Sequence, residues 1–229
     1  MAAAVPPVII KASKKHTATL IFLHGLGDTG VGWAGALNSM KLPNLKIVCP
    51  TAPMIPVSLN MGMQMPAWYD IYTLDEENPD KREDLDGVEV ASKNLEGLVA
   101  GEVNSGIPRN NVFVGGFSQG GAVALYHTLK HSDTPVAGCV ALSTYIPGNM
   151  RWEGSAEVSK CTTPILQVHG EADEVVKFKR GQQTLEILKK YAQEIQWKSY
   201  PGMGHEGTLE ELELVKAFIE QHEPKDSNL

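Results

Sequence analysis

The sequence predicts an α/β fold, one mostly parallel sheet with helices on both faces. Three observations predict it. Short β-branched or apolar runs alternate with longer helical patterns, no internal repeat divides the chain, and 229 residues with 42% hydrophobic content suffice for one sizeable core. No Pro, Gly or Ser linker interrupts this alternation, so one domain over residues 1–229 is expected. Residues 1–16 read as an arm or strand and 223–229 as a flexible tail.

In chain order, the runs of buried-strand length are Ala18 to Leu23, Lys46 to Cys49, Asn111 to Gly115, Val136 to Leu142, Pro164 to Val168 and Ile195 to Tyr200. Helical patterns lie between and after them, at Leu85 to Val103, Gly120 to Lys130, Gly181 to Ala192 and Thr208 to Glu220. The last places Leu209, Leu212, Val215, Phe218 and Ile219 on one face. Gly30 to Met40 supports a short, glycine-interrupted helix at best. Pro53 to Ile71, with Pro53, Pro56 and Pro66 among Met54, Leu59, Met61, Met63, Met65 and Trp68, is too broken for a long helix and too apolar for an idle loop, and it is read as lining a greasy pocket. Asp75 to Asp86 carries seven acids against Lys81 and Arg82 and reads as a charged loop leading into a helix.

Acidic residues outnumber basic ones by 27 to 20, for a net charge of -7, and the summed field repels polyphosphate backbones, so no nucleic-acid partner is expected. Cys49, Cys139 and Cys161 form no CxxC, and no Asn-x-Ser/Thr sequon occurs, which suits a reducing compartment. The stretch Met1 to Ile10 lacks a basic n-region, Ala2 stands where myristoylation needs glycine, no CaaX box closes the chain, and no apolar run approaches the roughly 20 residues of a spanning helix. A soluble, cytoplasmic protein is expected.

The chemistry-bearing motif is Gly116-Phe117-Ser118-Gln119-Gly120, a G-x-S-x-G between a strand and a helix. That context points to a nucleophile on a strained turn; the bland alternative is a Gly-rich turn with a solvent-facing serine. A serine hydroxyl needs a histidine base and an acid to orient it. Beyond the elbow helix stand His131, His169, His205 and His222. Of these, His205 follows a strand through the flexible turn Pro201-Gly202-Met203-Gly204, while His169, at a strand end, reads as buried and structural. Asp173 lies past the end of the strand Pro164 to Val168, with Glu171 and Glu174 as competitors and helix capping as its ordinary alternative. Ser118, Asp173 and His205 then project from the same, carboxyl, end of the sheet. Oxyanion donors are expected from the amides of Gln119 and, in the glycine loop after the first long strand, Leu26.

That loop, Gly25-Leu26-Gly27-Asp28-Thr29-Gly30, also satisfies G-x-G-x-x-G, yet the strand that follows ends Val48-Cys49-Pro50-Thr51 without the ribose-binding acid, so a dinucleotide site is set aside. No HExxH, Walker loop or EF-hand spacing occurs. His169, Glu171 and Asp173 mimic a ligand cluster, but neither a metal nor any other cofactor is expected.

Phe22 to Gly30, Cys49-Pro50-Thr51-Ala52-Pro53, Met65-Pro66-Ala67-Trp68-Tyr69-Asp70, Gly115 to Gly121 and Tyr200 to His205 together resemble the acyl-protein thioesterases, in order, from about Thr17 to Gln221. The resemblance implies a single-domain α/β-hydrolase without a large cap domain, acting on thioesters of S-palmitoylated proteins and often on lysophospholipids and small carboxylic esters. It implies Ser118, Asp173 and His205 as triad, with Leu26 and Gln119 as oxyanion donors. Leu59, Met61, Met63, Met65 and Trp68 are expected to accommodate the acyl chain, as adaptable methionines suit an alkyl group. Tyr145, where tryptophan is common in the family, is expected beside them.

The chain also departs from the pattern. Met1 to Ala4 offers no cysteine for acylation, so only transient membrane contact is expected. Glu206 stands where a small hydroxyl residue is common, and Arg180 where an apolar pocket residue is expected. Substrates are expected to be S-acylated proteins or acyl esters, and the protein a monomer or weak homodimer. Two other readings remain at this stage: a carboxylesterase for short soluble esters, with Arg180 shortening the pocket, and a catalytically silent fold binding an acyl ligand or a partner.

Overall fold

The computed structural model describes residues 5–74, 83–148 and 161–223. The first four residues of the arm, positions 75–82 of the acidic stretch and 224–229 of the tail lie outside these. The main sheet has seven strands: β1 (Val8–Ile10), β2 (Ala18–Leu23), β3 (Leu45–Cys49), β6 (Val112–Phe117), β7 (Gly138–Leu142), β8 (Ile165–Gly170) and β9 (Ile195–Tyr200), in the order β1-β3-β2-β6-β7-β8-β9. All pair in parallel except β1, which runs antiparallel to β3 with Ile9 opposite Val48.

The helices are α1 (Gly30–Asn38), α2 (Leu85–Asn104), α3 (Gln119–Lys130), α4 (Phe178–Tyr191) and α5 (Leu209–His222). β2 is buried along its whole length, and its side chains alternate between the sheet's two faces. Ile21 and Leu23 join the core under α2 and α3 with Leu95, Val99 and Leu125, whereas Leu20 and Phe22 join the core under α1 and α5 with Leu37, Val215 and Phe218. A strand buried on both faces reads as one apolar run, which is why it was visible in sequence. α2 inserts Val88, Ala91, Leu95 and Val99 at helical spacing and starts at Asp84, whose carboxylate accepts the Gly87 amide at 2.9 Å. α5 opens with a capping box between Thr208 and Glu211.

The region read as too broken for a helix is an antiparallel hairpin, β4 (Met54–Val57) with β5 (Met63–Pro66). Its turn passes through Met61 at φ 55° and Gly62 at φ 76°. Ser58 ties it down through the Asp70 carboxylate, by its amide at 2.7 Å and its hydroxyl at 2.5 Å.

The chain enters at the edge strand β1, passes to β2, steps back outward to β3 between them, and then crosses to β6 on the other side of β2. Such a reversal leaves a crevice at the carboxyl ends of the two strands. The loop from His24 and the turn at Ser118 both emerge there.

Candidate active site

Ser118 sits between β6 and α3 at φ 51° and ψ -119°, a conformation that L-residues rarely adopt. The surrounding backbone holds it. Its amide donates to Leu142 O at 2.9 Å, and its carbonyl accepts the Thr144 hydroxyl at 2.6 Å and the Ala122 amide at 3.0 Å. The turn closes only over glycines. A Cβ on Gly116 would lie 2.4 Å from the Gly120 carbonyl carbon, and one on Gly120 would lie 2.2 Å from Leu23 O.

Asp173 and His205 arrive on two loops that are knitted together. The Glu171 amide donates to Tyr200 O at 3.0 Å and the Ala172 amide to Met203 O at 3.0 Å. Asp173 is buried; its Oδ1 accepts the amides of Val175 and Val176, both at 2.9 Å, leaving Oδ2 to accept His205 Nδ1–H at 2.8 Å. With the proton on Nδ1, His205 Nε2 is the acceptor facing the Ser118 hydroxyl, at 3.0 Å. The imidazole rests against Phe117, ring centroids 4.7 Å apart.

The other acid and histidine candidates lie elsewhere. Glu171 and Glu174 are exposed, the former accepting the Ser199 hydroxyl at 2.7 Å. His131 ends α3, and His222 bonds Phe218 O and Glu194. His169 is fully buried: its Nε2–H donates to Val176 O at 2.7 Å and lies 3.5 Å from Asp173 Oδ2, so it braces the Asp173 loop from below. Burial lowers its pKa, which keeps the ring neutral. Glu206 is exposed beside His205.

The expected oxyanion donors flank the serine. Gln119 is the first residue of α3, and Leu26 lies one residue past Gly25, whose Cβ position is 3.5 Å from Ser118 Cβ. The supports of this crevice escaped the sequence reading. His24 is buried and its pKa is lowered by burial; Nδ1–H donates to Gly25 O at 2.7 Å, and Nε2 accepts the Ala52 amide at 3.0 Å. The Gln119 side chain accepts the Trp68 amide at 2.9 Å and donates to Tyr69 O at 2.7 Å, while Trp68 Nε1–H donates to His24 O at 2.8 Å. Their only signal in sequence was position beside a predicted strand end or elbow.

The residues expected to accommodate an acyl chain divide into three groups. Leu59, Met65 and Trp68 are half-buried, with Leu59 and Trp68 packed against the core. Met61 and Met63 are 96% and 61% exposed on the hairpin and line no enclosed channel, because the left-handed turn at Met61 and the strand pleat beyond it turn them to solvent. Tyr145 is buried, donating or accepting at Tyr69 Oη over 2.7 Å, with the Arg180 guanidinium 3.4 Å above its ring. Arg180 in turn pairs with Glu83 at 3.0 Å.

A doubly wound parallel sheet with a serine on a strained strand-to-helix turn, hydrogen-bonded through histidine to a buried aspartate, defines an α/β-hydrolase. The sequence profile of the phospholipase/carboxylesterase family matches residues 5–223, and the chain belongs to that family of hydrolases. It is 40% identical to acyl-protein thioesterase 1 of Neurospora crassa over 96% of this chain and 93% of that one. To acyl-protein thioesterase 1 of Cryptococcus neoformans it is 38% identical, over 92% and 94%. The crystal structure of Zea mays acyl-protein thioesterase 2 superposes with a TM-score of 0.84 at 33% identity, covering 95% of this chain and 99% of that one. Among the described residues, no helix is long and apolar enough to cross a membrane.

Proposed function

We propose that this chain removes long fatty acyl groups from S-acylated proteins through an acyl-Ser118 intermediate. The observation that carries this reading is the relay of 3.0 Å and 2.8 Å from Ser118 Oγ through His205 to Asp173, on a serine held at positive φ. Ser118 Oγ attacks the thioester carbonyl as His205 Nε2 takes its proton. The C–S bond breaks, and the departing sulfur receives that proton. Water, deprotonated by His205, then attacks the acyl-serine; the fatty acid leaves and Ser118 regains its proton. Asp173 holds the imidazole and stabilises its protonated form. The Leu26 and Gln119 amides donate to the tetrahedral oxyanion, contributing on the order of 3 kcal/mol each.

In this reading Leu59, Met65 and Trp68 receive the acyl chain, and Met61 and Met63 extend the apolar surface outward. Lysophospholipids and carboxylic esters are further substrates for the same chemistry. The protein works in the cytoplasm, as its three buried free cysteines suit, as a monomer or weak homodimer in transient contact with the membrane surface. The names of the relatives support the thioesterase reading.

One observation favours a second reading, a short-chain carboxylesterase: Arg180 and Glu83 place charge against Tyr145 and Tyr69, where a long alkyl tail would seek apolar walls. Hydrolysis of acyl thioesters of increasing chain length, beside Ser118→Ala, separates the two. Rates that rise toward long chains and vanish in the variant are expected. Activity confined to short chains gives the carboxylesterase, and activity surviving Ser118→Ala overturns the acyl-serine mechanism.

A further inference from the structure

At the far end of α3 from Ser118, His127 and His131 stand one helical turn apart, and Glu96 of α2 faces them. One carboxylate oxygen and one ring nitrogen from each imidazole lie within 4.8 Å of one another. Two histidines at i and i+4 on one helix face are a recurrent metal-binding arrangement. We propose that Glu96, His127 and His131 form a binding site for one imidazole-seeking divalent transition metal, zinc first among them, remote from the hydrolytic centre.

The donors are close to what such an ion needs. Zinc bonds nitrogen and carboxylate oxygen at about 2.0–2.2 Å, so neighbouring ligands in a tetrahedral site lie about 3.3 Å apart. His127 Nε2 and Glu96 Oε2 already stand at 2.9 Å and need open only a few tenths of an ångström. His131 must swing inward. It caps α3 outside regular helical geometry, at φ -104° and ψ 35°, and is half-buried, its ring 4.6 Å from that of His127. Three protein ligands leave a fourth position for water.

His127 Nε2 and Glu96 Oε2 share a hydrogen bond of 2.9 Å, and ligation of a metal at Nε2 leaves the ring proton on Nδ1. That Nδ1 is buried without a hydrogen-bond partner among the described residues.

Arg109 decides which cation fits. It donates to both Glu96 oxygens, each at 2.8 Å, orienting the carboxylate and cancelling most of its charge. A nearly neutral site with two nitrogens has little hold on magnesium or calcium, which want several charged oxygens, and selects a metal that bonds imidazole. Motif reading missed the site because Glu96 lies 31 residues from His127 and on another helix. Such an ion would cross-link α2 to the carboxyl end of the helix whose first turn follows Ser118.

Calorimetric titration of the chain, free of any affinity tag, with zinc chloride tests the proposal. A cobalt titration read by visible absorption reports the geometry. Saturable one-to-one binding is expected, at least about tenfold weaker in His131→Ala. A short-ester rate unchanged in that variant shows that it has folded. Tetrahedral cobalt absorption and no response to magnesium are expected. Absence of saturable zinc binding, zinc affinity unchanged in His131→Ala, or affinity that instead falls in His205→Ala would each overturn the assignment.

Discussion

The Ser118 elbow and the β4–β5 hairpin lie on neighbouring segments of one crevice and are built on opposite terms. At the elbow, backbone meets backbone: Gly116, Gly120 and Leu23 approach so closely that no side chain fits between them, and α3 behind is buried through its first eleven residues. The hairpin instead exposes Met54, Met61 and Met63 and is anchored by Ser58, in its connecting turn, to Asp70. The difference shows where this molecule fixes position and where it leaves room. The chemistry sits where no atom has slack, and the apolar surface where side chains can rearrange around a flexible ligand.

The severest way to break the comparison is to disturb a proton rather than a contact. Asp173→Asn keeps the shape of the built end and removes the carboxylate that accepts His205 Nδ1–H. A fall in kcat of about 10⁴-fold is expected, and a change below tenfold would remove Asp173 from the relay. Next in size is Gly120→Ala, whose methyl would lie 2.2 Å from Leu23 O; a loss of about 3 kcal/mol in urea unfolding is expected, and a neutral result would mean that the elbow has slack after all.

Glu211 sharpens the contrast through pH. It is wholly buried behind the His205 loop, accepts the Thr208 amide at 3.0 Å, and has no partner at Oε1 among the described residues. Burial pushes its carboxyl from 4.5 up to about 7. The folded state therefore keeps a proton that the unfolded state loses first. Its contribution is full below about pH 4.5, declines as pH rises, and is gone above about pH 7. Glu211→Gln is expected to remove this slope and to gain on the order of 1–3 kcal/mol over the wild type above pH 7. Equal pH profiles of Tm for the two proteins would refute it. Smallest of all, Met61→Ser should shift stability by less than about 0.5 kcal/mol and leave short-ester kcat/KM intact. A Tm drop of several degrees would show that the hairpin tip is packed.

Parts of this were legible in the sequence for a physical reason. Strands buried on both faces, such as Ala18 to Leu23, appear as unbroken apolar runs, and an elbow with no room for Cβ must be spelled with glycine. The Ser118, Asp173, His205 order followed from the loops that end such strands. The rest depends on partners far away in the chain. β1 is three residues long, pairs antiparallel with β3 and packs Val8 and Ile10 against the core. The direction of Met61 is set by a left-handed turn that methionine does not advertise. His24 and His169 look like strand-end residues until Ala52, Gly25 and Val176 are placed around them. The Arg180 pairing with Glu83 spans 97 residues, so sequence could mark the arginine as unusual but not name its counterion.

β6 is almost wholly buried at the centre of the sheet, whereas β9, which carries the His205 loop, is a half-buried edge strand that among the described residues pairs only with β8. Ser118 and His205 therefore belong to regions of unequal local stability. Edge strands open at lower free energy than the centre of a sheet, on the pattern that amide hydrogen exchange resolves. An opening of β9 would withdraw His205 from Ser118 while the elbow persisted, so hydrolysis would be lost before the core. Redocking of that one edge would restore the relay without refolding the whole.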